Sequence, residues 1–347
     1  MGIYAIVLLS LILIFSFYMG YIDGSTAVAT TIATRAIKPR TAVMIAALVK
    51  FVVPIIAYFL GQLAVASNMS DNLINNSFFS GIGADKAFAF LLAGLIGTLI
   101  WCGVVNIFKV PNSATHSLLG GVIGAGIVAF GFNAVQWTDY VIVNVILMVF
   151  LAPIVGLVVG FAFMKLFKYL ARYASKSISL VLRIFQRINT LVLAAGFSSN
   201  NTQKSLGVFM MMAALGLVNY GELGNYFDLY IVIAIAGMLT LGMLLGGFQV
   251  INTIGRKIFK IQDVHSVVSQ MTTNIVMIAV NELGIPVSTG QVMVSSIMGV
   301  GAAERVNSVH WMTAGRIVAS WFLTLPISGA FGAIMYIIIG KLIMQLP

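Results

Sequence analysis

Pro286-Val287-Ser288-Thr289-Gly290-Gln291 interrupts two long apolar runs, so it falls at membrane depth. Proline and glycine oppose helix continuation there, and two adjacent hydroxyls are left to face whatever passes. The chain carries a second copy. Val110-Pro111-Asn112-Ser113-Ala114-Thr115-His116 leads on to Gly120, Gly124 and Gly126, as Ile285 to Gln291 leads on to Gly299 and Gly301. Paired polar, Gly/Pro-interrupted segments in corresponding halves of a membrane chain point to a transporter's binding site.

The surrounding composition fits a membrane. Of 347 residues, 60% are hydrophobic and only 8% charged, against about 25% charged in soluble domains. Mean hydropathy is +1.06. Apolar runs approach the roughly 20 residues a spanning helix needs. Short alternating strands are absent, which disfavours a β-barrel. No Lys or Arg precedes the first apolar run and no small-residue cleavage site follows it, so it reads as a retained helix. Cys102 is alone, so no disulfide framework exists. His116, His265 and His310 lack metal-ligand spacing. No nucleotide-binding glycine loop is present. An intramembrane enzyme built on Asp23 and His116 lacks a recognisable nucleophile–base pair, so the expectation is no enzyme, no metal and no cofactor.

The net charge of +10 suggests nucleic acid until the basic residues are placed. They cluster as Arg35, Lys38, Arg40; then Lys165, Lys168, Arg172, Lys176, Arg183, Arg187; then Arg256, Lys257, Lys260. Such short basic clusters between apolar runs follow the positive-inside pattern. A multi-pass plasma-membrane protein with cytoplasmic basic loops is expected. Acidic or polar stretches at 67–86, Asp139, Glu222 and Asp228 mark outside turns. Residues 3–37 read as an apolar run broken at Gly20 to Gly24, and residues 188–218 as one broken at Ser198 to Lys204. The expected domains are residues 1–164, a basic cytoplasmic connecting segment 165–187, and residues 188–347. The first half begins outside and the second inside. The fold expected is therefore an all-α membrane protein: two inverted-topology repeats with broken helices and re-entrant helical hairpins.

Helices starting after the two prolines would expose free N–H groups and about +0.5 charge each. Two such starts facing one another form an oxyanion cradle. Its candidate lining is Ser113, Ala114, Thr115, Ser288, Thr289 and Gly290; the plainer alternative is ordinary N-caps. Asp23 lies in an apolar run, where a carboxylate binds a cation, carries a proton or pairs with a base. Asn200 and Asn201 offer neutral oxygens or donors. Thr26, Gln203 and Lys204 follow on their helices; Lys204 either contacts substrate or snorkels. Lys50 lies ten residues beyond Arg40, about 15 Å of helix, at mid-membrane. It either attracts the anion, takes the place of a coupling cation or pairs with Asp23. His116 is a proton relay or a hydrogen-bonded helix residue. Gln270 reads as polar glue.

These residues resemble the inorganic phosphate transporter (PiT) family, in a divergent, bacterial-type form. Gly20-Tyr21-Ile22-Asp23 through Thr34-Arg35-Ala36 is similar to the family's first signature. Asn200-Asn201-Thr202-Gln203-Lys204-Ser205-Leu206-Gly207 is similar to its second-half NDAQKSMG. VPNSATH and IPVSTGQ are similar to its PVSTTH. The resemblance implies a cation-coupled phosphate carrier, driven by sodium or protons. Substrate would meet Ser113, Ala114, Thr115, Ser288, Thr289, Gly290, Asn200, Gln203 and Lys50; the coupling cation would meet Asp23, Thr26 and Asn201. Sulfate or another oxyanion, or an uncoupled anion channel, are the alternatives. Expected partners are inorganic phosphate, membrane lipid and a second copy in a homodimer. The departures from the family's pattern fall at these positions. Asn201 stands for Asp, Gln291 for His, Gly290 for Thr, Thr26 for Asn, Gln270 for Glu, and Lys50 for Asn or Glu. Three of the six, at Asn201, Gln270 and Lys50, remove negative charge or add positive charge.

Overall fold

Ile3–Ala33 forms one unbroken helix, α1. The expected break at Gly20 to Gly24 does not occur. A Cβ at Gly20 would collide with the backbone of Leu239, and one at Gly24 with Met243. These glycines let a second helix approach, and helical geometry survives because the neighbouring backbone fills the space. In this computed structural model, residues 2–79, 81–108, 112–173, 178–218, 227–246, 251, 254, 255 and 258–344 are described. Val110, Pro111, Lys176, Glu222, Arg256 and Lys257 lie outside them.

The remaining helices are α2 (Pro39–Phe59), α3 (Ala64–Asn72), α4 (Ala84–Ile107), α5 (Ala114–Phe130), α6 (Leu147–Leu170), α7 (Ile178–Ala214), α8 (Phe227–Leu245), α9 (Asp263–Glu282), α10 (Thr289–Glu304) and α11 (Trp311–Met344). No strand occurs among the described residues. A π-helical stretch, Trp137–Ile146, leads into α6. The basic segment 165–187 is largely helical: Lys165 and Lys168 ride on α6, Arg183 and Arg187 on α7. The expected break at Ser198 to Lys204 is likewise absent, since α7 runs through it. Ser198, Asn200, Asn201, Gln203 and Lys204 bond to other segments rather than back to their own backbone, so they do not compete with the helix.

Seven helices among the described residues are long and apolar enough to cross a membrane. α5 and α10 are shorter, at 17 and 16 residues. At 1.5 Å per residue they reach about 26 and 24 Å, less than the ~30 Å hydrocarbon core. Each follows a longer helix, α4 before α5 and α9 before α10. Their packing is reciprocal: α5, from the first half, packs on α11, and α10, from the second, packs on α6. Small residues allow both contacts. A Cβ at Gly124 would strike the Gly329 backbone, and one at Gly299 that of Leu157, the close approach on which helix association in lipid depends.

α1 and α7 run antiparallel at the centre. Ser16 bonds Ser205, Asp23 bonds Asn201, Thr31 bonds Thr190 and Thr34 bonds Gln186. Two separate apolar clusters bracket this crossing. Along α1 one ends at Met19 and the other begins at Ala27; along α7 the order reverses, with Phe197 and Leu206 as the limits. The polar residues in between form a buried layer: Asp23, Asn200, Asn201 and Lys204 are all at most 4% exposed. The outside is apolar instead, with Leu48, Ile56, Ile154, Val158, Ile188 and Ile334 exposed.

Candidate anion site at two helix starts

Ser113 caps α5, its Oγ accepting from the His116 N–H at 3.2 Å. Extended backbone at Ser113 and a side-chain acceptor are what start a helix there. Asn112 is pinned just before it. Its amide donates to Ser117 Oγ, and its carbonyl oxygen accepts from Thr324 Oγ1 of α11 at 2.8 Å. Ser288 occupies the matching position before α10, and its carbonyl accepts the N–H groups of Gln291 and Val292. The first N–H groups of a helix have no acceptor within it. Ala114 and Thr115, and Thr289 and Gly290, supply these positions.

The two helix starts meet. Lys204 Nζ, from α7, donates to Thr115 Oγ1 at 2.7 Å and to the Val287 carbonyl at 2.8 Å. One ammonium thus joins the beginning of α5 to the residue before Ser288. Gln291 Nε2 and His116 Nδ1, 3.2 Å apart, make a second link. The same Lys204 Nζ donates to Asn201 Oδ1 at 3.2 Å, and Asn201 Nδ2 donates to Asp23 Oδ2 at 3.0 Å. Asp23, Asn201 and Lys204 therefore form one chain into the cradle. A Cβ on Gly290 would lie 3.7 Å from Asp23 Oδ1, so glycine here brings the α10 start beside the carboxylate. Thr26 lies one turn beyond Asp23, buried, its hydroxyl directed to the Ile22 carbonyl at 3.5 Å.

Other sequence candidates bond elsewhere. Gln203 Oε1 accepts the Val65 N–H of α3, and its amide donates to Ser199. It fixes α3 rather than joining the Lys204 network. Asn200 Nδ2 donates to Asn281 of α9 at 2.6 Å, while its Oδ1 is buried without a partner among the described residues. Gln270 donates to Thr30, Thr31 and Thr190, tying α9 to the α1–α7 crossing, as polar glue would. Lys204, which sequence left undecided, is at the centre. Its signal was present: it follows Asn201 by three residues on one helix, so the two share a face.

Several polar groups in the layer are unspent. Lys50 Nζ, Thr289 Oγ1 and Gln291 Oε1 are buried without a hydrogen-bond partner among the described residues. Buried polar groups are normally satisfied, so such a set is unusual. Asp23 lies within electrostatic reach of both Lys50 and Lys204. At the far end of α10, Lys168 of α6 binds Glu304 at 2.7 Å and, through that bond chiefly, holds its carboxyl below the usual range.

The profile of the phosphate transporter family matches residues 19–185 and 171–332, nearly the whole chain. The chain belongs to the phosphate transporter family. Family relatives include a chain of Bacillus subtilis named "probable low-affinity inorganic phosphate transporter", 31% identical over 333 residues, covering 95% of both chains. One of Rhizobium meliloti with the same name is 30% identical over 332 residues, covering 95% of this chain and 94% of that one. The fold matches a solved structure described as the sodium-dependent phosphate transporter, with TM-score 0.81, 20% identity, and coverage of 99% and 100%. As relatives of this family are transporters and permeases, the chain is a membrane transporter homologue rather than an enzyme.

Proposed function

We propose that this chain is a secondary active transporter of inorganic phosphate in the plasma membrane, coupled to a cation, sodium or proton. The anion is held between the starts of α5 and α10. The observation that carries this reading is the single Lys204 ammonium bonded to both helix starts. A phosphate has several acceptor oxygens and little else to recognise. Free N–H groups, hydroxyls of Ser113, Thr115, Ser288 and Thr289, and one ammonium are complementary to it. Asp23, Asn201 and Thr26 supply the oxygens for a cation. The antiparallel α1–α7 crossing and the reciprocal packing of α5 and α10 support two inverted halves, residues 1–164 and 188–347, joined by the basic segment 165–187 on the cytoplasmic side. Alternating access then moves one half against the other around a fixed site. The names of the relatives support phosphate as cargo.

The test is uptake of radiolabelled phosphate by proteoliposomes, with sulfate as competitor and with sodium or proton gradients imposed separately. Uptake blocked by excess unlabelled phosphate but not by sulfate is expected. Sulfate uptake exceeding phosphate uptake, or neither anion moving with folded protein, would overturn the reading.

A further inference from the structure

Among the described residues, the Asp, Glu, Lys and Arg side chains that are buried number three: Asp23, Lys50 and Lys204. Two ammonium groups against one carboxylate leave this layer with a net charge of +1. An excess charge in a buried layer is costly unless something compensates it. Lys204 is held by three neutral acceptors and reaches Asp23 through Asn201. Lys50 is the excess. It is 0% exposed, and its Nζ has no hydrogen-bond partner among the described residues.

Its position is built rather than accidental. Pro54 lies one turn further along α2 and has no N–H, so the Lys50 carbonyl lacks its helical donor. Ser198 Oγ of α7 donates to that carbonyl instead, at 2.7 Å. Ser198 is three residues before Asn201 on α7, so the bond seats Lys50 against the helix that carries Asn201 and Lys204. Asp23 and Lys204 are the charged groups that act on Lys50 there.

We propose that Lys50 is a fixed counter-charge of the anion cradle: its ammonium takes the place of one coupling cation, so that phosphate binds and crosses without sodium. This rests on the phosphate-transport reading above. A monovalent dihydrogen phosphate brings the layer from +1 to neutrality with no further ion. A sodium ion arriving as well would be a third positive charge near Lys50 and Lys204, in a setting where like charges repel strongly. The Lys50 charge is specific to the anion and does not travel with it.

The experiment measures labelled phosphate uptake by proteoliposomes against sodium concentration, with choline as replacement, at fixed symmetric pH and zero potential. Wild type, Lys50→Arg and Lys50→Asn are compared. Wild-type and Lys50→Arg uptake in choline should lie within about twofold of uptake in sodium. Lys50→Asn should lose about tenfold or more in choline and regain it as sodium is added. Steep sodium activation of wild type, or Lys50→Asn uptake in choline equal to wild type, overturns the proposal. Should Lys50→Asn fail to fold, the wild-type and Lys50→Arg curves still decide. Absence of phosphate uptake by folded wild type in every ionic condition defeats the transport reading itself; uptake that demands sodium defeats only the fixed-charge proposal.

Discussion

Ser198 Oγ donates to the Lys50 carbonyl at 2.7 Å, at the place where Pro54 withholds the helix's own donor. Ser198→Ala should leave that buried carbonyl unsatisfied, at a cost of about 1–3 kcal/mol. Pro54→Ala should restore an N–H at the right register, so the double variant Ser198→Ala/Pro54→Ala should recover most of the loss. Thermal unfolding in detergent of the four proteins forms the cycle. Additive losses would mean that Ser198 stabilises something other than this carbonyl.

Thr289 separates binding from stability. Its hydroxyl, at the first position of α10, is buried without a partner among the described residues. Thr289→Val keeps the shape and removes an unsatisfied polar group, so unliganded protein should melt at the same temperature or higher. Phosphate affinity should fall by about 1–2 kcal/mol for a hydrogen bond lost to a charged ligand. Calorimetric titration of folded variant checks it. A lower melting point with unchanged affinity would make the hydroxyl structural.

Both helix starts and the central carboxylate were legible in the sequence, because proline, glycine and a charge in apolar runs are physically conspicuous. Ser113, Thr115 and Asp23 could be named on that ground alone. What tells Asn200 from Asn201 was not. The two are adjacent in sequence, about 100° apart on one helix, and only the packing of α9 and α1 decides that Asn200 meets Asn281 while Asn201 meets Asp23. The Gln203 contact was hidden for the same reason, since its partner Val65 lies in the first turn of α3, a short helix of low hydrophobicity in a stretch read as loop. The glycines of α1 gave a false break because Gly20 and Gly24 serve tertiary contact, which outweighs local propensity.

Asp23 holds the only buried negative charge among the described residues. Asp23→Asn should therefore leave two ammonium groups without a counter-charge and lower stability by about 3–5 kcal/mol. Adding Lys50→Met should return part of that, because it deletes an ammonium with no hydrogen bond among the described residues. Melting temperatures of the single and double variants are the measurement. A double variant less stable than Asp23→Asn alone would show that Lys50 contributes through packing rather than charge.

Membrane potential offers a last test of the charge balance. A tethered ammonium does not cross, whereas a sodium ion bound in its place would. If Lys50→Asn makes phosphate travel with one sodium, each cycle moves one more positive charge inward than in wild type. That difference holds whether or not a proton also moves, because it compares two proteins under the same proton conditions. The energy involved is about 2.3 kcal/mol per charge per 100 mV. Uptake should thus respond to a potassium–valinomycin potential differently in the two proteins. Making the lumen negative should favour Lys50→Asn in sodium, relative to wild type in the same buffer. Identical voltage responses would mean that both proteins move the same charge, and that Lys50 does not stand for a travelling cation.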